Sequence, residues 1–226
     1  MARLLNQLIN LSKWPIALLM LLMLLPSLEQ FKKVILYMFQ HDNQYRPITY
    51  GALAYLLASW FILRKSRMGA WFSTLEHELT HALFAVLSLN RVTGLNVTSH
   101  AGGNMSYQGY PNWLITISPY FVPTLSLLIL GLIWLAKTSY SPLLLGLLGA
   151  SIVYHLQSTW RETHHQQTDL KQVGWTFCWL FLPGANVIMW LFILLALPND
   201  GLSLNLLEKS WNTAMQHLQT LVSAWV

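Results

Sequence analysis

Two histidines four residues apart, with a glutamate directly after the first, form the chemistry-bearing group of this chain: His77-Glu78-Leu79-Thr80-His81. On a helix, residues i and i+4 share a face, so both imidazoles can reach one Zn²⁺. Glu78 lies one step round, placed to take a proton from a metal-activated water rather than to bind the metal. The chemistry implied is metal-assisted hydrolysis. With 8 His and 8 Asp+Glu in 226 residues, chance gives only about 0.01 such patterns, so the spacing carries weight. The uncharged stretch Ala82-Leu83-Phe84-Ala85-Val86-Leu87 continues the helix. Ionisable groups then sit at lipid depth, where they are costly and functional by default.

Two histidines do not hold a catalytic zinc; three protein ligands and a water are usual. Acids are scarce, which shortens the search. Glu29, Asp42, Asp200 and Glu208 fall at polar ends or loops and read as solvated, and Glu76 points away from the His77 face. The remaining candidates cluster between Tyr154 and Asp169. Asp169 comes first, because a carboxylate before the last apolar helix is favoured at the helix N-terminus and can point inward. His165, His164 and His155 are the alternatives. The ordinary roles compete: Asp169 as a helix cap, and each histidine as an interface or packed side chain.

The elements that must position these groups are apolar. The chain is 54% hydrophobic and only 9% charged, far below the roughly 25% charge of soluble domains. This predicts an all-α polytopic membrane protein with about six membrane helices. The first runs from the apolar stretch at Ile16–Leu25, uncleaved, past Pro26 toward Tyr37; the others are Ile48–Leu63, Met68–Leu89, Trp113–Ala136, Pro142–Tyr154 and Val173–Leu197. Residues 1–197 read as one membrane-embedded domain. The basic cluster Arg64, Lys65 and Arg67 places the start of the motif helix at the cytoplasmic face. His77 then lies about ten residues, or roughly 15 Å, into the membrane. The net charge of +5 collects at segment ends, as topology signal and lipid contact, not as a nucleic-acid surface. Cys178, the single cysteine, excludes a disulfide framework and a thiolate cluster and reads as a small packing residue.

Between the motif helix and the next apolar run, Asn90–Asn112 is the one long polar connection. Alternating β-branched residues around Gly102-Gly103 predict a β-hairpin or re-entrant strand. Gly102, Gly103, Asn104, Met105, Ser106 and Tyr107 are the candidate substrate-binding strand, pairing with a substrate backbone by edge addition; the alternative is an ordinary external loop. Residues 198–226 form a C-terminal region whose Leu204, Leu207, Trp211, Met215, Leu218, Val222 and Trp225 mark an amphipathic helix, suited to the membrane interface.

Together, His77-Glu78-x-x-His81 in an apolar helix, a Gly-Gly-x-x-Ser-Tyr stretch soon after, and Asp169 near a later helix start resemble the site-2 protease family of intramembrane zinc metalloproteases, in its short branch without a PDZ domain. The resemblance covers roughly Met68 to Asn186. It implies peptide-bond hydrolysis within the bilayer, on membrane-anchored protein substrates. It also implies His77, His81 and Asp169 as Zn²⁺ ligands, Glu78 as general base, and Gly102–Tyr107 as a substrate-clamping strand. With the chain's size and the lack of organellar targeting, it suggests a multi-pass protein of a bacterial inner membrane. The oligomeric state is left open.

The third ligand departs from the family pattern. Better-known members carry an Asp-Gly pair, whereas Asp169 is followed by Leu170. Straight crossings by every segment would also bring Asp169 out on the side opposite the start of the motif helix, so a re-entrant piece is expected. Pro119 and Pro123 are positioned to kink the neighbouring helix. Thr80, Ser118, Tyr120 and Asn186 are candidate linings of a polar cavity, or ordinary helix-packing groups. Two readings compete with the protease. One is a di-iron oxidoreductase built on Glu78-x-x-His81 and Glu162-x-x-His165. The other is a non-catalytic scaffold that binds membrane helices.

Overall fold

The computed structural model describes residues 1–61, 66–98, 102–136, 141–197 and 205–223. Arg64 and Lys65 of the basic cluster, Ala101 before the glycine pair, residues 198–204 with Asp200, and Trp225 lie outside the described residues. The described chain is mostly helical. Ten helices and one hairpin follow in the order α1 (Ala2–Leu11), α2 (Lys13–Gln40), α3 (Asp42–Phe61), α4 (Arg67–Leu87), β1 (Arg91–Val97), β2 (Gly103–Gln108), α5 (Trp113–Ile117), α6 (Thr124–Leu135), α7 (Pro142–Glu162), α8 (Thr168–Val173), α9 (Trp175–Leu195) and α10 (Asn205–Ser223).

Two of the described helices, α2 and α9, are long and apolar enough to cross a bilayer on their own, with mean hydropathies of 1.5 and 2.0. A third crossing is reached only if α5, the 3₁₀ turn Ser118–Tyr120 and α6 count as one span, bent by 78° at its break. Six straight apolar crossings are therefore not borne out. The segments that fall short carry the polar side chains of the interior. Helix α3 buries Ser59, α4 buries Ser73, His77, Glu78, Thr80 and His81, and α7 buries Ser151, His155 and Ser158. The expected kink lies between Ser118 and Pro123, where Pro119 and Pro123 each remove a backbone donor. Pro26 sits inside α2 without ending it.

Two helix pairs frame the molecule. Helix α2 packs along α9, and α3 along α7. The second pair touches backbone to backbone: a Cβ added to Gly149 would come within 2.0 Å of the Ile48 carbonyl oxygen. Such close approach needs a residue without a side chain, as small-residue interfaces between membrane helices do. Helix α10 lies against α2 and α9.

The core divides into two clusters. One joins α2, α3, α6, α7 and the end of α9 around Val34, Tyr45, Leu145, Leu148 and Leu191. The other gathers Trp113, Ile117, Tyr120, Leu170, Val173, Phe177 and Phe181 from α5, the 3₁₀ turn, α8 and the start of α9. In it the rings of Trp113, Phe177 and Phe181 meet at centroid distances of 5.1 to 5.3 Å. Leu170 and Val173, at 0% and 6% exposed, pin the short helix α8 to this cluster. Lys13 Nζ donates to the Val173 carbonyl at 2.7 Å, occupying an acceptor at the C-terminal end of α8. Gly174 then turns the chain at φ +99° into α9.

An asparagine clasp holds the hairpin ends. Asn6, on α1, donates to the Ser88 carbonyl at 2.9 Å and accepts from Asn112 Nδ2 at 2.6 Å and Asn90 Nδ2 at 3.3 Å. Asn90 in turn bonds both the amide and the carbonyl of Tyr110. Helix α1 thus buries a polar side chain while exposing Leu4, Leu8 and Leu11, the pattern of a helix whose outer face meets an apolar phase. Asn112 also caps α5, its Oδ1 accepting from Ile115 N at 2.9 Å. Asn112→Ala removes this cap and one arm of the clasp. It should lower unfolding stability by about 1–2 kcal/mol in a detergent-solubilised melt, with Asn112→Ser recovering part through its own capping oxygen. An alanine variant as stable as the parent would contradict that role.

Candidate metal centre

Ser66 starts α4, its Oγ accepting from Gly69 N at 2.9 Å, and the helix then carries His77 and His81 round to one face. Both rings are buried, each at 7% exposed. Their Nε2 atoms are 3.1 Å apart. From the far end of the sequence α8 delivers Asp169, whose Oδ2 lies 3.5 Å from His77 Nε2 and 3.4 Å from His81 Nε2.

These separations test whether a metal fits. Three ligand atoms on bonds of about 2.0–2.1 Å to a tetrahedral ion stand roughly 3.3 Å from one another. The observed triangle, 3.1, 3.4 and 3.5 Å on its edges, is one face of such a tetrahedron. Two imidazoles and a carboxylate are also a donor set that Zn²⁺ accepts. Among the described residues, His77, His81 and Asp169 are the one group of three such side chains arranged to hold an ion.

Each donor is oriented from behind. His81 Nδ1 donates to the Ile115 carbonyl at 2.7 Å, so the capped helix α5 sets that ring. His77 Nδ1 donates to Glu162 Oε2 at 2.7 Å. Tyr120 donates its hydroxyl to Asp169 Oδ2 at 3.2 Å.

The face opens into a cavity of about 540 Å³, lined by the motif residues, by Gly102 to Met105 and Tyr107, and by Gln167, Thr168 and Gln172. Of the predicted substrate strand, Ser106 is the one member not on this lining. The hairpin folds back along α4, with antiparallel register from Arg91 opposite Gln108 to Val97 opposite Gly103. Among the described residues only β1 pairs with β2, so the other edge of β2 has no strand partner there. Gly103 rests on the general-base candidate: a Cβ there would stand 2.5 Å from Glu78 Cγ and 2.7 Å from Thr74 Cγ2.

The other residues weighed as ligands separate cleanly, while Asp169 reaches the motif face beside an α5–α6 stretch bent by 78° at its break. His165 packs against Trp175 with ring centroids 5.0 Å apart and planes tilted by 52°, and His164 Nδ1 accepts from Gln166 N. His155 is buried on α7, with Thr159 Oγ1 at 3.4 Å from its Nε2. None of the three joins the ligand triangle. With His165 on Trp175, the second Glu-x-x-His pair of the di-iron reading does not assemble. Thr80, Ser118, Tyr120 and Asn186 do not line the cavity. Thr80 bonds Thr124, Ser118 bonds the Ile115 carbonyl, Asn186 bonds the Tyr120 carbonyl, and Tyr120 holds Asp169 from behind. Sequence reasoning missed Glu162 as a partner of His77 and Gln167, Thr168 and Gln172 as cavity wall.

No curated protein and no solved structure matches the chain. Residues 48–197, which include every element of the centre from α4 to α8, match the family model described as Peptidase M50B-like. A hit over that length, on the residues that carry the motif helix, the hairpin and Asp169, settles the kinship: the chain belongs to the Peptidase M50B-like family, within the site-2 proteases.

Proposed function

We propose that this chain is an intramembrane zinc metalloprotease that hydrolyses peptide bonds within or near transmembrane segments of membrane-anchored proteins. The observation that carries the reading is the triangle of His77 Nε2, His81 Nε2 and Asp169 Oδ2 beside Glu78, on a cavity flanked by the free edge of β2. His77, His81 and Asp169 would hold Zn²⁺, which when bound supplies Lewis-acid polarisation of the scissile carbonyl and makes water acidic enough to attack near neutral pH.

The remaining work falls to the chain's own side chains. Glu78 takes the proton from the attacking water and passes it to the leaving amine. Gly103 lets the strand lie directly on Glu78. A helical substrate has its carbonyls tied in its own hydrogen bonds, so it must unwind before attack. Residues Gly103 to Tyr107 then pair with it as an added strand. The polar wall of Gln167, Thr168 and Gln172 admits water to a centre that is otherwise enclosed by apolar helices. We place the protein as a multi-pass component of a bacterial inner membrane, with six membrane segments of which several are polar enough to need the bundle around them.

Cleavage of a fluorophore–quencher peptide containing one transmembrane segment, in detergent or liposomes, tests the proposal. Glu78→Gln should lower the turnover rate by about 10²–10⁴-fold while zinc content is unchanged. Full activity in that variant would sink the general-base assignment. Gly103→Val places atoms where Glu78 and Thr74 already stand. It should cost about 10²-fold in cleavage through misplacement of base and strand, again with zinc retained; wild-type cleavage would mean that β2 does not set the geometry.

A further inference from the structure

Glu162 closes α7 beside the metal face, and the chemistry proposed above leaves it without a task. Its two carboxylate oxygens are divided between two sets of partners. Oε2 receives the proton of His77 Nδ1 at 2.7 Å. Oε1 accepts from Ser158 Oγ at 2.8 Å and from Ser73 Oγ at 3.0 Å. The two serines are themselves 2.8 Å apart, so α4 and α7 meet in a closed hydroxyl–carboxylate network at this point. Ser73 and Ser158 are buried, at 8% and 4% exposed, which leaves the network little freedom to rearrange.

The consequence falls on the imidazole. A neutral histidine carries one proton, and the acceptor beside one nitrogen decides which nitrogen holds it. With a carboxylate at Nδ1, the proton sits there, and the lone pair of Nε2 faces His81 and Asp169. Glu162 meets the ring on the edge opposite Nε2, so it cannot bind the same ion; it acts through His77. His81 is oriented by a backbone carbonyl instead, and a carboxylate raises ligand basicity more than a neutral carbonyl does.

We propose that Glu162 is a positioning residue of the metal centre. It fixes the tautomer and direction of His77, is itself held by Ser73 and Ser158, and makes metal affinity depend on the docking of α7 against α4. This rests on the reading of His77 as a ligand.

The test is zinc affinity of the detergent-purified full chain, measured by competition with a chromophoric chelator, for wild type, Glu162→Ala, Glu162→Gln and Ser151→Ala. The last variant, on the same helix as Glu162 but away from His77, removes a buried hydrogen bond from α7 to Ser126 on α6 and reports general loosening of α7. Glu162→Ala should weaken zinc binding about 10–100-fold, Glu162→Gln by less because its amide oxygen still accepts, and Ser151→Ala by no more than about twofold. Unchanged affinity in Glu162→Ala would overturn the proposal, as would an equal loss in Ser151→Ala, the mark of a merely structural role. Absence of zinc from the wild type would instead overturn the ligand reading on which the proposal stands.

Discussion

A carboxylate on a six-residue helix is held against two imidazoles from a helix some ninety positions earlier, and the rest of the fold is arranged around that meeting. Buried ionisable groups are stable only when they pair with one another or with a metal. Asp169, His77 and His81 satisfy this by converging. For them to do so, α8 must be anchored although it is too short to be stable alone. Leu170 and Val173 supply the anchor by burial against Trp113 and Phe177, and Lys13 holds the C-terminal end of the helix. The same aromatic cluster seats α5, whose Ile115 carbonyl orients His81. One apolar cluster thereby positions a ligand and the group behind another.

The second requirement is access. A protease of the kind proposed needs water and an extended stretch of substrate at the same place. The chain meets it with a hairpin rather than a further helix. Only an unpaired strand edge offers backbone groups to a partner, and only a residue without a Cβ lets that strand lie on Glu78. The asparagine clasp ties both ends of the hairpin to α1, so the strand is held from its base while its inner end reaches the catalytic face.

Local spacing made the first half of the centre readable without any structure. His77, Glu78 and His81 need only one helical turn to come together, and Gly102-Gly103 between β-branched residues needs only a short-range turn. Asp169 was weaker in the sequence because its meeting with His77 depends on a chain reversal that no local pattern encodes. Glu162 was legible as a residue but not as a partner, since its role arises only where α7 crosses α4. The expectation of about six membrane helices with a re-entrant piece is met only in part, by two apolar spans and one bent pair among the described residues. Apolar runs were counted as independent spans, whereas α3 and α7 share the Ser59–Gln157 hydrogen bond, α4 and α7 share the Ser73, Ser158 and Glu162 network, and the Pro119 and Pro123 stretch bends rather than running straight.

The central claim is that Asp169, with His77 and His81, completes a zinc site. The most direct test is elemental mass spectrometry of the purified wild type beside Asp169→Ala and His165→Ala. About one zinc per chain is expected in wild type, lost from the Asp169 variant and kept in the His165 variant, since three protein ligands are needed and His165 lies on Trp175. Zinc kept in Asp169→Ala, zinc lost from His165→Ala, or iron near two per chain in wild type would contradict it.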